Sequence, residues 1–147
     1  MILILQLGTT LFMTGLIWLV QWVHYPLFAH VGREQFSAYE ALHTSRISVI
    51  VMPMMLLELG SAVALVASPP AGFGRALPLV GLGLLGMVWL TTAAFSVPAH
   101  STLAAGFADG AHASLVSSNW IRTLSWTARS ALLLWMTAEL LQRGTTS

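Results

Sequence analysis

Residues 36–58 read FSAYEALHTSRISVIVMPMMLLE, an apolar stretch that carries ionisable side chains. Glu40 and His43 form an E-x-x-H pair, which places both side chains on one face of a helix. Glu58 lies eighteen residues after Glu40, about five helical turns at 3.6 residues per turn, and so returns to the same face. It also falls near the middle of the apolar run 47–67. An ionisable residue at that depth of a membrane span is a functional candidate.

The composition of the chain is typical of an integral membrane protein. Of its 147 residues, 56% are hydrophobic and 7% are charged, whereas about 25% of the residues in soluble domains are charged. Four long apolar runs fill most of a single domain, 1–147, and each is long enough to cross a bilayer. We therefore predict an all-α integral membrane four-helix bundle in contact with the lipid bilayer, with spans of about 2–24, 35–67, 77–97 and 117–142.

Charge and cysteine content exclude several classes of function. The six cationic side chains are all arginine and the net charge is +1. No polybasic patch therefore indicates a nucleic-acid partner. Cysteine is absent, which excludes iron–sulfur clusters, thiolate haem ligation and cysteine-based zinc sites.

Proline and polar residues set the predicted helix boundaries. Pro26 is predicted to stop the first helix, after Trp22 and Tyr25 at the membrane interface. Pro98 is predicted to close the third helix. The segment 99–116 is then a polar connection, and the fourth helix starts at an N-cap serine, Ser117 or Ser118.

The glycines of the third span form a G-x-G-x-x-G pattern, at Gly81, Gly83 and Gly86. A dinucleotide site would need a strand before the first glycine, and none is predicted there. Small residues in an apolar helix instead indicate close packing against another helix.

The four spans must alternate in direction. The ends of spans one and three and the starts of spans two and four therefore lie on the same side of the membrane. Thr10, Thr14, Gln21 and His24 also form a polar stripe on the first helix, which should face the bundle. At about 1.5 Å per residue, four polar side chains come out roughly 18–21 Å from the bilayer centre on that side. These are His24, His43, His100 and Asn119, with Arg122 about one turn deeper and Glu40 about one turn further out.

The convergence of His24, Glu40, His43 and His100 predicts a metal site at one end of the bundle. Imidazole and carboxylate ligands suit a redox metal ion, iron or copper. Helical bundles hold di-iron centres with paired E-x-x-H motifs, but only one is present here, which favours a single ion. Two alternatives stay open: interfacial anchoring of the helix ends, and haem b ligation by two histidines such as His24 and His100. His30 and His112 are predicted to be solvated in loops.

The fourth span carries polar residues on one face. Asn119 and Arg122 are predicted to orient a substrate, and Arg122 either pairs with Glu40 or holds an anionic or carbonyl group. Arg129 lies about as deep as Glu58, so we predict a buried Glu58–Arg129 ion pair. Glu58 is then either structural, fixing helix register, or catalytic, as a proton relay or a ligand.

The segments VPAHSTLAAG and LVSSNWIRTLSWTARSALLL resemble the C-terminal half of the anthrone oxygenase-like family of small four-span membrane proteins. The matching residues are Pro98, His100, Asn119, Trp120 and Arg122. The resemblance covers about a third of the chain and implies oxygenation of a polycyclic phenolic substrate. The first half, with HYPLF and E-x-x-H, departs from that family's pattern.

Together these patterns predict a metal-dependent membrane oxidoreductase or oxygenase acting on a lipophilic phenol- or quinone-like small molecule. The rival predictions are a haem- or quinone-binding subunit of an electron-transfer complex, and a structural or assembly subunit. A homo-oligomer and a partner chain in a membrane complex both remain compatible with the sequence. The predicted location is the bacterial inner membrane, and the arginine distribution predicts that both termini lie inside.

Overall fold

The computed structural model describes residues 1–145, and in that range the chain forms four long helices. Helix α1 comprises Ile2–His30, α2 Phe36–Ala67, α3 Ala76–Ala104 and α4 Asp109–Thr145. Three short connections join them, so consecutive helices run antiparallel. Helix α1 packs on α2 and α4, and α3 packs on α2 and α4. The predicted all-helical fold is confirmed. Residues 146–147 of the predicted domain lie outside the described residues.

The prediction that Pro26 and Pro98 end helices is wrong. Both prolines lie inside continuous helices, each two residues after a π-helical turn, Val20–His24 in α1 and Thr92–Ser96 in α3. Proline lacks an N–H and its ring opposes the carbonyl of the residue four positions earlier. In both helices that carbonyl lies within the wider π turn, which accommodates the ring.

The helices consequently extend beyond the predicted spans. After the π turn, α1 continues through Tyr25–Leu27 and ends in the 3-10 turn Phe28–His30. Helix α3 continues through Val97–Ala104. The segment 99–116, predicted to be a polar connection, contains the end of α3 and the first two turns of α4. The fourth helix therefore starts at Asp109 and not at Ser117 or Ser118.

Helices α1, α2 and α3 are long and apolar enough to cross a membrane. Helix α4 does not reach the same hydropathy, because its inward face is polar: Ser118, Asn119, Arg122, Thr123, Ser125, Arg129 and Ser130 are all buried. Its outward face is apolar, with Ile121, Leu124, Leu134 and Trp135 exposed. The chain thus has an apolar surface around a partly polar interior, the reverse of a soluble bundle.

Gly81 lies where α3 contacts α4. A Cβ atom at this position would lie 3.5 Å from Leu132 Cδ2, and the Gly81 carbonyl accepts a hydrogen bond from Arg129 Nη1. Gly83 and Gly86 have open space where a Cβ would stand. Gly81 therefore lies at the contact between the two helices, whereas the prediction of a packing role is wrong for Gly83 and Gly86.

A larger side chain at Gly81 is expected to separate α3 from α4. Gly81→Leu should lower the free energy of unfolding by about 1–3 kcal/mol, because its branch would overlap Leu132. The matched control Gly83→Leu faces open space and should leave stability nearly unchanged. Unfolding by SDS titration of the detergent-purified variants measures both effects. Equal loss in the two variants would contradict the packing role of Gly81.

Candidate functional site

The four side chains predicted to bind metal lie together at one end of the bundle. His24 Nε2 is 2.8 Å from His43 Nδ1, and His100 Nδ1 is 2.5 Å from Glu40 Oε1. The rings of His43 and His100 have their centroids 5.4 Å apart. Three helices therefore bring the predicted residues into one polar cluster, which we call the histidine site: His24, Glu40, His43 and His100.

The histidine site consists of two hydrogen-bonded pairs. In residues 1–145, no group of three or more histidine, aspartate or glutamate side chains is arranged to hold a metal ion. Glu40 is nevertheless incomplete. Its side chain is 0% exposed and bonds to His100 through Oε1, while Oε2 is buried without a hydrogen-bond partner. A buried carboxylate oxygen without a partner is costly, so a further donor or cation would stabilise it.

Tyr25 belongs to this cluster, although its sequence context indicated an interfacial residue. The side chain is buried, and its hydroxyl lies 3.2 Å from His100 Nε2. His100 thus connects the Tyr25 hydroxyl with the Glu40 carboxylate. The sequence signal was the adjacency of Tyr25 to His24, but an aromatic residue before a proline at a helix end is also typical of an interface.

The prediction that His112 is a solvated loop residue is also wrong. His112 lies in the first turn of α4, where its Nε2 is 2.8 Å from the Tyr25 carbonyl oxygen and its ring stacks on Phe28. It ties the start of α4 to the end of α1. His30 is exposed at the end of α1, as predicted for solvation.

A cavity of about 290 Å³ lies next to the histidine site. Its walls are mostly apolar side chains of α1, α2 and α3, including Met13, Ile17, Val51 and Met55. Its polar lining groups include Tyr25, His43, His100 and Arg122. An apolar cavity with a few converging polar groups is the form that small-molecule sites usually take.

The two π-helical turns position the polar residues of α4. Gln21, in the π turn of α1, accepts a hydrogen bond from Asn119 Nδ2 at 2.9 Å. Ser96, in the π turn of α3, accepts one from Arg122 Nη1 at 3.2 Å. Arg122 Nη1 also donates to Asn119 Oδ1 at 3.2 Å. π turns are frequent at functional sites, and here they supply the side chains that hold Asn119 and Arg122.

Arg122 does not pair with Glu40, one of its two predicted roles. The Glu40 carboxylate faces His100, and the guanidinium of Arg122 is held by Ser96 and Asn119 and lies over the ring of Trp126. The other predicted role, holding a polar group of a substrate, agrees with the position of Arg122 at the cavity wall.

The predicted Glu58–Arg129 ion pair is confirmed. Arg129 Nη2 and Nε both lie 3.1 Å from Glu58 Oε1. The carboxylate also accepts from the Thr10 hydroxyl at 2.6 Å and from Trp126 Nε1 at 2.9 Å. Both Glu58 oxygens are therefore occupied by donors from α1 and α4. Glu58 does not line the cavity, so this arrangement favours the structural role over the catalytic one.

Comparison of the chain with protein-family models, with curated proteins and with solved structures finds no match. The resemblance to anthrone oxygenase-like proteins therefore stays a prediction, and function is argued from the site itself.

Proposed function

We propose that the chain is a membrane oxidoreductase or oxygenase that acts on a lipophilic phenol or quinone. The observation that carries the proposal is the apolar cavity of about 290 Å³ bordered by Tyr25, His43, His100 and Arg122. Its apolar walls suit the hydrocarbon part of such a molecule, and the polar residues suit its oxygen. The imidazole and phenol groups of this lining are of the kinds that transfer protons in active sites.

The proposal places the protein in a membrane as a four-span bundle. Three helices have the length and composition of a span. The polar side of α4 faces the interior of the bundle, so its outward residues would also be compatible with lipid. A substrate dissolved in the bilayer would then reach the cavity without crossing water. The bacterial inner membrane and termini on its inner side stay predictions.

We further propose that the histidine site holds a redox metal ion, iron or copper. His24, His43 and His100 would supply the imidazole nitrogens, and His24 and His43 already have their ring nitrogens 2.8 Å apart. The unpartnered Oε2 of Glu40 would gain a cation. When bound, such an ion would supply one-electron chemistry, while Asn119 and Arg122 orient the substrate.

Metal content tests this proposal directly. Elemental analysis and a visible absorption spectrum of detergent-purified protein, never exposed to chelator, should show near-stoichiometric iron or copper in the wild type. The His24→Ala, His43→Ala, His100→Ala triple variant should lose that metal, because its remaining carboxylate cannot hold a transition metal alone. His30→Ala is the matched control and should retain it, since His30 lies outside the site. Circular dichroism establishes that each variant is folded.

The same experiment separates the rival functions. A Soret band would assign the protein to haem-binding subunits of electron-transfer complexes. Folded wild-type protein with neither metal nor haem would contradict the metal site and leave the histidine site as a hydrogen-bonded anchor of helix ends in a structural subunit.

A further inference from the structure

Arg122 is a buried cation whose hydrogen bonding is incomplete. The residue is 6% exposed. Its Nη1 donates to the neutral oxygens of Ser96 and Asn119, and its guanidinium also faces the Tyr25 hydroxyl. Its Nε–H is buried and has no partner. Because its side chain lines the cavity, Arg122 places a positive charge at the cavity wall.

No carboxylate forms an ion pair with Arg122 within residues 1–145. The arginine ion pairs in this range join Arg33 with Asp109, Arg129 with Glu58 and Arg143 with Glu139, and the Glu40 carboxylate bonds to His100. The contrast with Arg129 is informative, because Arg129 is also buried, lies two turns further along α4 and is fully paired. A buried charge is normally paired or removed, since desolvation disfavours it. The partner of Arg122 is thus to be sought in the cavity that it lines.

The cavity is accessible from the outer surface of the bundle. Met52 of α2 and Val97 of α3 both line it, and they are 44% and 59% exposed. An opening between α2 and α3 therefore joins the cavity to the apolar outer surface. A ligand that is apolar over most of its area could enter there with its oxygen leading towards Arg122.

We propose that the cavity binds lipophilic phenols in their ionised form, with Arg122 as the counter-charge of the phenolate oxygen. The choice of phenols rests on the proposed function, but binding requires neither bound metal nor turnover. The phenolic proton is released to solvent, and the Arg122 guanidinium donates to the resulting oxyanion. A charge-assisted bond of this kind would pair the cation that the protein leaves without a carboxylate.

The other ionisable groups around the cavity are Tyr25 from α1, His43 from α2 and His100 from α3. The Glu40 carboxylate behind His100 would oppose a second anion. An apolar cavity without a cation would raise the pKa of a bound phenol, because burial disfavours the charged form. A lowered phenol pKa would thus identify the contribution of Arg122.

An alkyl-substituted nitrophenol provides the probe, since its phenolate is coloured and its phenol is not. We expect the apparent pKa of the probe bound to metal-depleted wild-type protein to be about 1–3 units lower than its pKa bound to Arg122→Gln. Arg75→Gln is the matched control, because it removes the same charge from an exposed position outside the cavity. It should leave the probe's pKa unchanged. Arg122→Lys keeps the charge and should retain part of the shift.

A second measurement uses only the wild type and does not depend on the folding of any variant. The O-methyl ether of the probe cannot ionise, so it should compete for the cavity at least about tenfold more weakly than the phenol, the effect of one pKa unit. The proposal would be overturned if the ether competed as well as the phenol, or if the probe did not bind. It would also be overturned if the wild type raised the pKa of the bound probe, or if that pKa were the same in the wild type and in Arg122→Gln. If the protein binds phenolate but oxidises no phenol, the proposal on Arg122 holds and the proposed oxidoreductase function is contradicted.

Discussion

Glu58→Ala is expected to lower the free energy of unfolding by about 3–5 kcal/mol, because it leaves Arg129 charged and unpaired in the interior of the bundle. Arg129 keeps its bond to the Gly81 carbonyl but loses its carboxylate. Thr10 and Trp126 lose an acceptor at the same time. Three helices thus lose contacts from a single substitution. SDS titration of detergent-purified protein, followed by circular dichroism, measures the loss.

Glu139→Ala is the matched control for this prediction. Glu139 also pairs with an arginine, Arg143, at 3.6 Å, but both side chains are partly exposed and one turn apart on α4. Such helical surface pairs contribute about 0.3–0.5 kcal/mol. Replacing both buried partners, as in Glu58→Leu with Arg129→Met, should recover most of the stability, because no unpaired charge remains. Similar stabilities for Glu58→Ala and Glu139→Ala would contradict the importance of the buried pair.

The Glu58–Arg129 pair shows what could be predicted from the sequence. Two opposite charges at equal depth of apolar helices have few alternatives to pairing, since each alone would be costly. The same reasoning on depth brought His24, His43 and His100 to one end of the bundle. Predictions that rest on a large energetic cost and on simple helix geometry therefore hold, even without knowledge of side-chain directions.

The helix boundaries at Pro26 and Pro98 show where sequence rules fail. The rule that proline ends a helix assumes an α-helical turn before it. Here a π turn precedes each proline, and no residue pattern distinguishes VQWVH or TAAFS as a π turn in advance. Because of this error the predicted ends of α1 and α3 come too early, and the first two turns of α4 were predicted to be part of a connection.

The hydrogen-bond partners of the histidine site were also beyond prediction. Depth places Glu40 and Arg122 near the same end of the bundle but about two turns apart, so pairing between them was a reasonable interpretation. The structure pairs Glu40 with His100 and leaves Arg122 facing the cavity. Which partner each side chain takes depends on the rotation of α3 and α4 about their axes. The π turn of α3 contributes to that rotation, and sequence periodicity alone does not determine it.

His100→Ala is expected to reduce kcat for oxidation of a lipophilic phenol by at least about 10²-fold, because it removes a proposed metal ligand as well as a group placed to transfer protons. His100 lines the cavity and connects the Tyr25 hydroxyl with the Glu40 carboxylate. Its removal interrupts that connection and leaves Glu40 without its hydrogen-bond partner. The rate of phenol consumption, measured with protein in lipid vesicles and dioxygen as the oxidant, gives the effect, and His30→Ala should match the wild type.

The Tyr25→Phe variant shows whether these groups act as a unit. It keeps the ring that packs against Phe28 and removes only the hydroxyl that reaches His100. If His100 acts through that hydroxyl, the double variant Tyr25→Phe, His100→Ala should be no slower than His100→Ala alone, because effects within one unit are not additive. Multiplied losses in the double variant would show independent roles. If His100→Ala oxidised phenol as fast as the wild type, His100 would have no part in the chemistry. The hydrogen bonds that join Tyr25 to Glu40 through His100 could then not be the route for the substrate's proton.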